Sequence, residues 1–199
     1  AVDRSIQIYN HVAIKDIGTA RSTHLEAFVH TFKAVIYARK VKADIVHIHA
    51  VGPALMTPIA RLLGMKVVIT HHGPDYDRDK WGRFAKWILR MGERAGVYYA
   101  NNIIVISEHI RQIIYHQYSA KRNVTLIHNG VNVPARVIGT EYLESLDLTE
   151  YGYVLAVGRF VKEKNLDQLV EAFTQLSSPS MKLVIAGDAD FQDEYAQKL

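Results

Sequence analysis

The stretch from Asp44 to Thr70, DIVHIHAVGPALMTPIARLLGMKVVIT, decides the fold of this 199-residue chain. It opens on one β-branched run (44–49) and closes on another (66–70), and both are typical of buried strands. The residues between them carry a helical pattern that begins with Pro53, which suits the first turn of a helix. This order predicts two parallel strands joined by a helical crossover.

The same alternation continues on both sides of this unit. The other predicted strands are 5–9, 102–106 and 124–127, and the other predicted helices are 20–41, 79–99 and 107–118. Parallel strands covered by helices form a doubly wound α/β sheet. The sequence therefore predicts a Rossmann-like N-terminal domain over residues 1–133.

A second Rossmann-like domain is predicted to start after a connector. Residues 134–152 lose the alternation and combine proline and glycine with acidic residues, so we interpret them as the connector. The alternation restarts with predicted strands at 153–157 and 181–186 around a predicted helix at 165–176. Two strands do not complete a doubly wound domain, so we expect 153–199 to be truncated and the chain to be part of a longer protein.

Composition excludes several classes of protein. Apolar residues make up 49% and charged residues 22%, as in ordinary globular chains, and cysteine is absent. Disulfides, thiolate–zinc sites and cysteine nucleophiles are therefore excluded. The longest uncharged run, 45–60, is shorter than the roughly 20 apolar residues that a spanning helix needs. With no secretory leader in view, we expect a cytoplasmic protein, with the inner face of the membrane as an alternative location.

The net charge differs in sign between the two parts of the chain. Residues 1–133 carry 18 Lys and Arg against 9 Asp and Glu, whereas residues 134–199 carry 6 against 11. The basic part predicts an anionic partner such as phosphate, a lipid surface or nucleic acid. Nucleic acid is not expected, because few aromatic residues accompany the basic ones outside 79–99 and no nucleic-acid-binding motif occurs.

The loop after the 153–157 strand has the composition of an anion site. Gly158 lets a backbone approach a ligand, and Arg159 and Lys164 supply two cations beside the start of a helix. Asn165 and Gln168 have the spacing of a capping box at that helix start. A diphosphate suits this loop; two solvated loop cations are the alternative interpretation.

The motifs along the chain resemble the retaining GT-B glycosyltransferases of family four. The matching segments, in the family's order, are DIVHIHAVGPA, VVITHHGPD, NIIVISEHI, VTLIHNGVN, YVLAVGRFVKEKNLDQLVEAF and MKLVIAGD. The stretch THHGPDYDRDKWG further resembles the bacterial branch that builds surface polysaccharides. The resemblance implies a truncated GT-B architecture of two Rossmann-like domains. It also implies metal-independent transfer of a hexose, with retention, from a nucleotide diphosphate sugar to a glycan or lipid-linked acceptor.

The resemblance also implies which residues form the site, without any cofactor. Arg159 and Lys164 match the pair that grips the donor diphosphate, and His72 matches the histidine that faces the donor sugar. Gly130 matches the small residue in the loop that closes the first domain. The full set of expected site residues is His72 as the catalytic residue, Gly158, Arg159 and Lys164 for the diphosphate, and His49, Gly73 and Gly130 lining the cleft.

Two departures from the family leave rival functions open. The glycine-rich loop that should precede Ser5 is absent, and so is the late E-x7-E element. Glu163 and Glu171 have that spacing, but they lie in the wrong place. We therefore expect the 199 residues alone to be inactive. The rivals are a nucleotide-sugar epimerase of the same fold and a non-catalytic module that binds sugar nucleotides or nucleic acid.

Two groups of side chains are candidate metal ligands. The D-x-D at 75–77 and a cluster of His47, His49, His71 and His72 could in principle hold a metal; carboxylates at a helix start and buried hydrogen-bonded histidines are the alternatives, and we expect no metal.

The 79–99 helix combines a stripe predicted to be buried with a basic face that displays Trp87. The stripe is Trp81, Phe84, Ile88, Met91 and Ala95. An anionic bilayer and an ordinary solvated face are both compatible with this pattern.

Overall fold

The computed structural model describes residues 8–19, 26–78, 81–118, 123–135, 139–176, 180–189 and 194–198. They divide into two compact units, Ala1–Val131 and Asn132–Leu199. None of the helices in these described ranges is long and apolar enough to cross a bilayer.

The first unit is built on a parallel sheet of four strands, which are paired in the order in which they occur in the chain. Their bounds are Ile45–His49 (β3), Lys66–His71 (β4), Asn102–Val105 (β5) and Val124–Leu126 (β6). These strands lie where the sequence predicts them. The fold class, a parallel α/β sheet of Rossmann-like type, is thereby confirmed.

Helices connect these strands and close the core of the first unit. They are α1 (Glu26–Lys40), α2 (Thr57–Leu62), α3 (Arg83–Tyr99) and α4 (Glu108–Tyr118), with short 3-10 turns at Pro53–Met56 and Asp75–Asp77. The core lies between the sheet and the helices and includes Ile48, Val67, Ile69, Ile103 and Ile114. Residues 20–25 and 79–80 of the predicted helices lie outside the described residues.

The predicted strand at 5–9 is not seen as part of this sheet. Its described residues, Ile8–Tyr9 (β1), pair with Val12–Ala13 (β2) in a separate antiparallel ladder of two residues on each side. All four residues are exposed. Residues 5–7 lie outside the described part of the chain.

Helix α3 packs on the rest of the unit through a face that includes two glycines. A Cβ on Gly92 would lie 2.1 Å from the Val51 carbonyl oxygen, and one on Gly96 would lie 2.8 Å from the Ile69 side chain. Glu93 and Val97 are buried on the same face. The burial predicted for Phe84 and Met91 is wrong, because both are exposed: the glycines allow a closer approach on their own side than large side chains would.

The second unit has two parallel strands with the predicted helix between them. The strands are β7 (Tyr153–Val157) and β8 (Lys182–Ala186), and the helices are α5 (Glu141–Ser145), α6 (Leu166–Thr174) and α7 (Glu194–Lys198), with a 3-10 turn at Lys162–Lys164. Helix α5 lies within the stretch interpreted as a connector. An ion pair connects that stretch to β8: Lys182 Nζ lies 2.6 Å from the Asp147 carboxylate.

Candidate functional site

Two predicted site residues of the first unit meet at the carboxyl ends of neighbouring strands. His49 is the last residue of β3, and His72 directly follows β4. Because the two strands are parallel and paired, His49 Nδ1 lies 3.1 Å from His72 Nε2, with the rings stacked. One imidazole therefore donates to the other, and the pair presents titratable nitrogens at the edge where parallel α/β sheets bind ligands.

A third histidine backs this pair. His47 lies on the same side of β3 as His49, with ring centroids 4.3 Å apart, and its Nε2 lies 2.7 Å from Thr70 Oγ1. Burial, followed by the nearby His49 and His72, lowers the pKa of His47 below its ordinary value. His47 is thereby favoured as a neutral imidazole.

The described residues give no support to a metal centre. They contain no group of three or more His, Asp or Glu side chains arranged to hold a metal ion. The D-x-D forms the 3-10 turn Asp75–Asp77, in which Tyr76 is buried. Asp75 faces Arg78 at 3.9 Å.

The fourth histidine, His71, belongs to a buried polar network that sequence reasoning missed. Its Nε2 lies 2.7 Å from Glu93 Oε1, and both side chains are almost fully buried. Tyr118 and Tyr76 also donate their hydroxyls to the Glu93 carboxylate, at 2.5 and 3.2 Å. The signal in the sequence was faint: Glu93 is the only acidic residue in α3, next to Gly92.

Charge and burial act against each other at Glu93. Burial alone raises the pKa of a carboxyl group, but the hydrogen bonds from His71, Tyr118 and Tyr76 outweigh it and hold the pKa of Glu93 below its ordinary value. Burial and the nearby carboxylate raise the pKa of Tyr76 to about 12. The same causes raise the pKa of Tyr118. The site is therefore an ionised carboxylate held by neutral donors.

The two predicted glycines of this unit have different surroundings. Gly73 has a φ of +140°, which favours glycine, and its N–H donates to His71 Nδ1 at 3.1 Å. Gly130 follows β6, which β5 separates from β4. A Cβ on Gly130 would meet no atom within 4 Å. The structure therefore places Gly73 beside the histidine pair, whereas neither histidine lies within 4 Å of the position that a Cβ on Gly130 would take.

In the second unit, the three residues predicted to hold a diphosphate share one compact loop after β7. Successive turns fold this loop back, with the Val161 N–H bonded to the Arg159 carbonyl and the Lys164 N–H bonded to the Val161 carbonyl, both at 2.9 Å. The Lys164 Cε consequently comes within 3.8 Å of the position that a Cβ on Gly158 would take. The side chains of Arg159 and Lys164 are exposed.

The loop is anchored to the neighbouring strand end. The Gly158 N–H donates to the Ala186 carbonyl and the Phe160 N–H to the Asp188 carbonyl, both at 3.0 Å. These bonds join the carboxyl ends of β7 and β8. Arg159 and Lys164 are thus presented from a loop whose first residues are hydrogen-bonded to the chain at the end of β8.

The predicted capping box is wrong. Asn165 precedes α6 in a left-handed conformation (φ 49°, ψ 39°) and makes no capping bond through its side chain. The Asp167 N–H in the first turn meets the Tyr195 hydroxyl at 3.2 Å, and that hydroxyl donates to the Asp167 carboxylate. Because Asp167 places a negative charge at the helix start, the positive charge near this helix start comes from the loop before it, where Arg159 and Lys164 lie.

Similar solved structures show which fold this is. The structure of HepE from Anabaena in complex with UDP-glucose matches with a TM-score of 0.73 and 16% identity, over 94% of this chain and 50% of HepE. A structure of TarM matches with a TM-score of 0.55 and 18% identity, over 85% of this chain and 33% of TarM. The fold is that of the GT-B glycosyltransferases, and the chain spans about half the length of HepE.

Family-level sequence comparison is more specific. The sequence model described as Glycosyltransferase Family 4 matches residues 5–134, and the one described as Glycosyl transferases group 1 matches residues 140–199. The chain belongs to glycosyltransferase family 4. No individual curated protein matches it.

Proposed function

We propose that this chain is part of an enzyme that transfers a hexose, with retention, from a nucleotide diphosphate sugar to a glycan or lipid-linked acceptor. The observation that carries the proposal is the position of the Lys164 side chain, which folds back to Gly158, the residue before Arg159. The two cations therefore belong to one compact loop. HepE, which shares the fold, was solved with UDP-glucose. UDP-glucose is therefore the first donor to test.

The chemistry needs no metal in this proposal. When the sugar–phosphate bond breaks, negative charge grows on the departing diphosphate, and preorganised cations stabilise it. Arg159 supplies a planar fork and Lys164 a point charge. His72 is assigned to the donor sugar. The departing phosphate takes the proton of the acceptor hydroxyl, so retention requires no nucleophile from the protein. Excess EDTA should leave the transfer rate unchanged.

A lysine in the same turn provides a matched control for binding. Lys162 and Lys164 are both exposed in one 3-10 turn, but of the two only Lys164 lies within 4 Å of the position that a Cβ on Gly158 would take. In calorimetric titration of the full-length protein with UDP-glucose, we expect Arg159→Ala and Lys164→Ala each to weaken binding about 10- to 100-fold, the effect of losing a charge-assisted hydrogen bond. Lys162→Ala should stay within about twofold. Equal losses in Lys162→Ala and Lys164→Ala would contradict the proposal.

Binding and transfer assays together distinguish the rival functions. An epimerase and a glycosyltransferase both bind the sugar nucleotide through the diphosphate, whereas a nucleic-acid-binding module does not require it. Radiolabelled sugar supplied as UDP-glucose should appear in an acceptor glycan or lipid fraction for a transferase. It should stay on the nucleotide, with changed stereochemistry, for an epimerase.

We propose an anionic membrane as a second partner, at its inner face in a cytoplasmic location. Phe84 and Trp87 stack on the outer side of α3 and are 73% and 57% exposed. Met91, one turn further on, is exposed beside Arg90 and Arg94. This side of α3 lies opposite the Gly92 and Gly96 face. Aromatic side chains flanked by arginines bind the interface of an anionic bilayer.

Sedimentation with lipid vesicles tests this surface. We expect binding to phosphatidylglycerol-containing vesicles at low salt and weaker binding at high salt, because the arginine contribution is screened. The double variant Phe84→Ala, Trp87→Ala should lose binding at both salt concentrations. Tyr151→Ala, which removes an aromatic side chain that is 94% exposed in the other unit, should not. Equal binding by the double variant and the wild type would exclude α3 as the contact.

A further inference from the structure

Glu93 is the most fully enclosed charged group among the described residues. It lies on α3, its side chain is 1% exposed, and its donors come from three other elements. These donors are His71 at the end of β4, Tyr76 in the turn after it, and Tyr118 at the end of α4. An unpaired charge in such a place would be strongly destabilising, so the donors are matched to a carboxylate.

The hydrogen bonds around His71 determine which nitrogen carries its hydrogen. The Gly73 N–H donates to Nδ1 at 3.1 Å, so Nδ1 must offer a lone pair. The hydrogen therefore sits on Nε2, from which it is donated to Glu93 Oε1 at 2.7 Å. A hydrogen on Nδ1 would face the Gly73 N–H directly and break this arrangement.

This chain of contacts ends at His72. Glu93 orients His71, His71 holds the Gly73 N–H, and Gly73 adopts the φ of +140° that turns the chain after β4. His72 lies between these two anchored residues, and its Nε2 reaches His49 Nδ1 at 3.1 Å. The backbone on both sides of His72 is thus restrained from the buried carboxylate.

We propose that Glu93 is a positioning residue for His72. It fixes the Nε2–H tautomer of His71, so that His71 Nδ1 accepts a hydrogen bond from the Gly73 N–H. This hydrogen bond sets the direction in which the His72 imidazole points. The role of His72 toward the donor sugar rests on the proposed function above. The positioning itself does not, and it can be measured without turnover.

Nitrogen NMR of histidine-labelled full-length protein tests the positioning directly. In the wild type at neutral pH, we expect His71 to show a protonated Nε2 and an unprotonated Nδ1, and the Gly73 amide to exchange slowly. A protonated Nδ1 on His71 would overturn the proposal, and this measurement requires no variant to fold.

Three variants separate positioning from general stability. Glu93→Leu removes the acceptor, Glu93→Gln keeps an acceptor oxygen of the same reach, and Tyr118→Phe removes a different donor without touching His71. We expect Glu93→Leu to lose the Nε2–H tautomer and the His49–His72 ring contact in nuclear Overhauser spectra. Glu93→Gln and Tyr118→Phe should keep both. A folded Glu93→Leu protein with an unchanged histidine pair would overturn the proposal.

Kinetics provide the functional readout. A displaced group near the chemistry costs up to about 100-fold in rate, so we expect kcat for sugar transfer to fall about 10- to 100-fold in Glu93→Leu. In Glu93→Gln and Tyr118→Phe, kcat should stay within about threefold of the wild-type value, because the hydrogen bond between the Gly73 N–H and His71 remains. The Kd for UDP-glucose should change by less than about twofold in all three, since the diphosphate loop is in the other unit.

The two proposals fail in different ways. Absence of transfer by the wild type would refute the proposed function while the NMR result on His71 still stands. Equal kcat values for Glu93→Leu and Tyr118→Phe, in an active enzyme, would refute the positioning role alone.

Discussion

Gly187 lies so close to Gly158 that a Cβ added to it would stand 1.8 Å from the Gly158 carbonyl oxygen. No side chain fits into that gap. The contact joins the loop after β8 to the loop that carries Arg159 and Lys164, and it adds to the backbone hydrogen bonds there. The glycine at 187 is therefore a condition for the shape of the proposed diphosphate loop.

Gly187→Ala should damage both stability and donor binding. The added methyl group forces the two loops apart, which we expect to cost about 1–3 kcal/mol of unfolding free energy. UDP-glucose binding should weaken about tenfold or more, as expected when the cations move by an ångström or so. Urea denaturation and calorimetry on the same preparation measure the two effects.

Gly158→Ala is the matched control for that prediction. Its Cβ would meet only the Lys164 side chain at 3.8 Å, an ordinary contact. We expect the unfolding free energy to stay within about 0.5 kcal/mol of the wild type. An equal loss of stability in both variants would show that the Gly187 contact is not special.

Gly92→Ala should destabilise the first unit although alanine is the better helix former. The gain in helix propensity is about 1 kcal/mol, but a Cβ on Gly92 would lie 2.1 Å from the Val51 carbonyl oxygen. We expect a net loss of about 1–3 kcal/mol, the usual cost of overpacking. Chemical denaturation measures it. Arg94→Ala, an exposed substitution in the same helix, should stay within about 0.5 kcal/mol, and a stabilised Gly92→Ala would contradict the close packing.

Glu93 should make stability depend on acid pH. Its folded-state pKa lies below the ordinary value of 4.5, so its stabilising contribution is complete above that value and is lost as the pH falls through the folded-state pKa. At neutral pH, Glu93→Gln should cost about 1.5–3 kcal/mol of unfolding free energy.

That difference should shrink as urea denaturation is repeated down to about pH 3. Glu108→Gln, which breaks an exposed ion pair with Arg111, should cost no more than about 1 kcal/mol at any pH. A Glu93→Gln difference that is constant across the pH range would mean that the carboxylate is not held ionised by its donors.

The pKa of His47 should change when either of its neighbours, His49 or His72, is replaced. Burial is the largest cause of its lowered pKa, and His49 and His72 follow in that order. His49→Asn should therefore raise the pKa of His47 more than His72→Asn does, and in both variants it should remain below the ordinary value of 6.5. Proton NMR titration of the His47 ring measures both. A full return to 6.5 in either variant would mean that burial is not the main cause.

Much of the fold follows from local sequence pattern. The β-branched runs at 45–49, 66–71 and 153–157 are strands because β-branched side chains favour the extended backbone. The meeting of His49 and His72 follows from the same pattern, since neighbouring parallel strands end at one edge.

The features that sequence reasoning missed depend on residues far apart in the chain. A hydrophobic stripe indicates the inner side of a helix only when large side chains make the contact, and in α3 Gly92 and Gly96 make it instead. Glu93 is buried because of partners 17 to 25 residues away. No local period reveals such a network. At Asn165, the turns that fold Lys164 back leave a left-handed residue, which prevents the capping that its spacing predicts.

The packing of α3 through its glycines separates two kinds of constraint on one helix. On the inward side, even one methyl group at Gly92 is too many. On the outward side, Phe84 and Trp87 contribute little to folding, because most of their surface is already in solvent. Mutations can therefore accumulate outside without endangering the fold, which leaves that surface open to adaptation to a new acceptor or lipid.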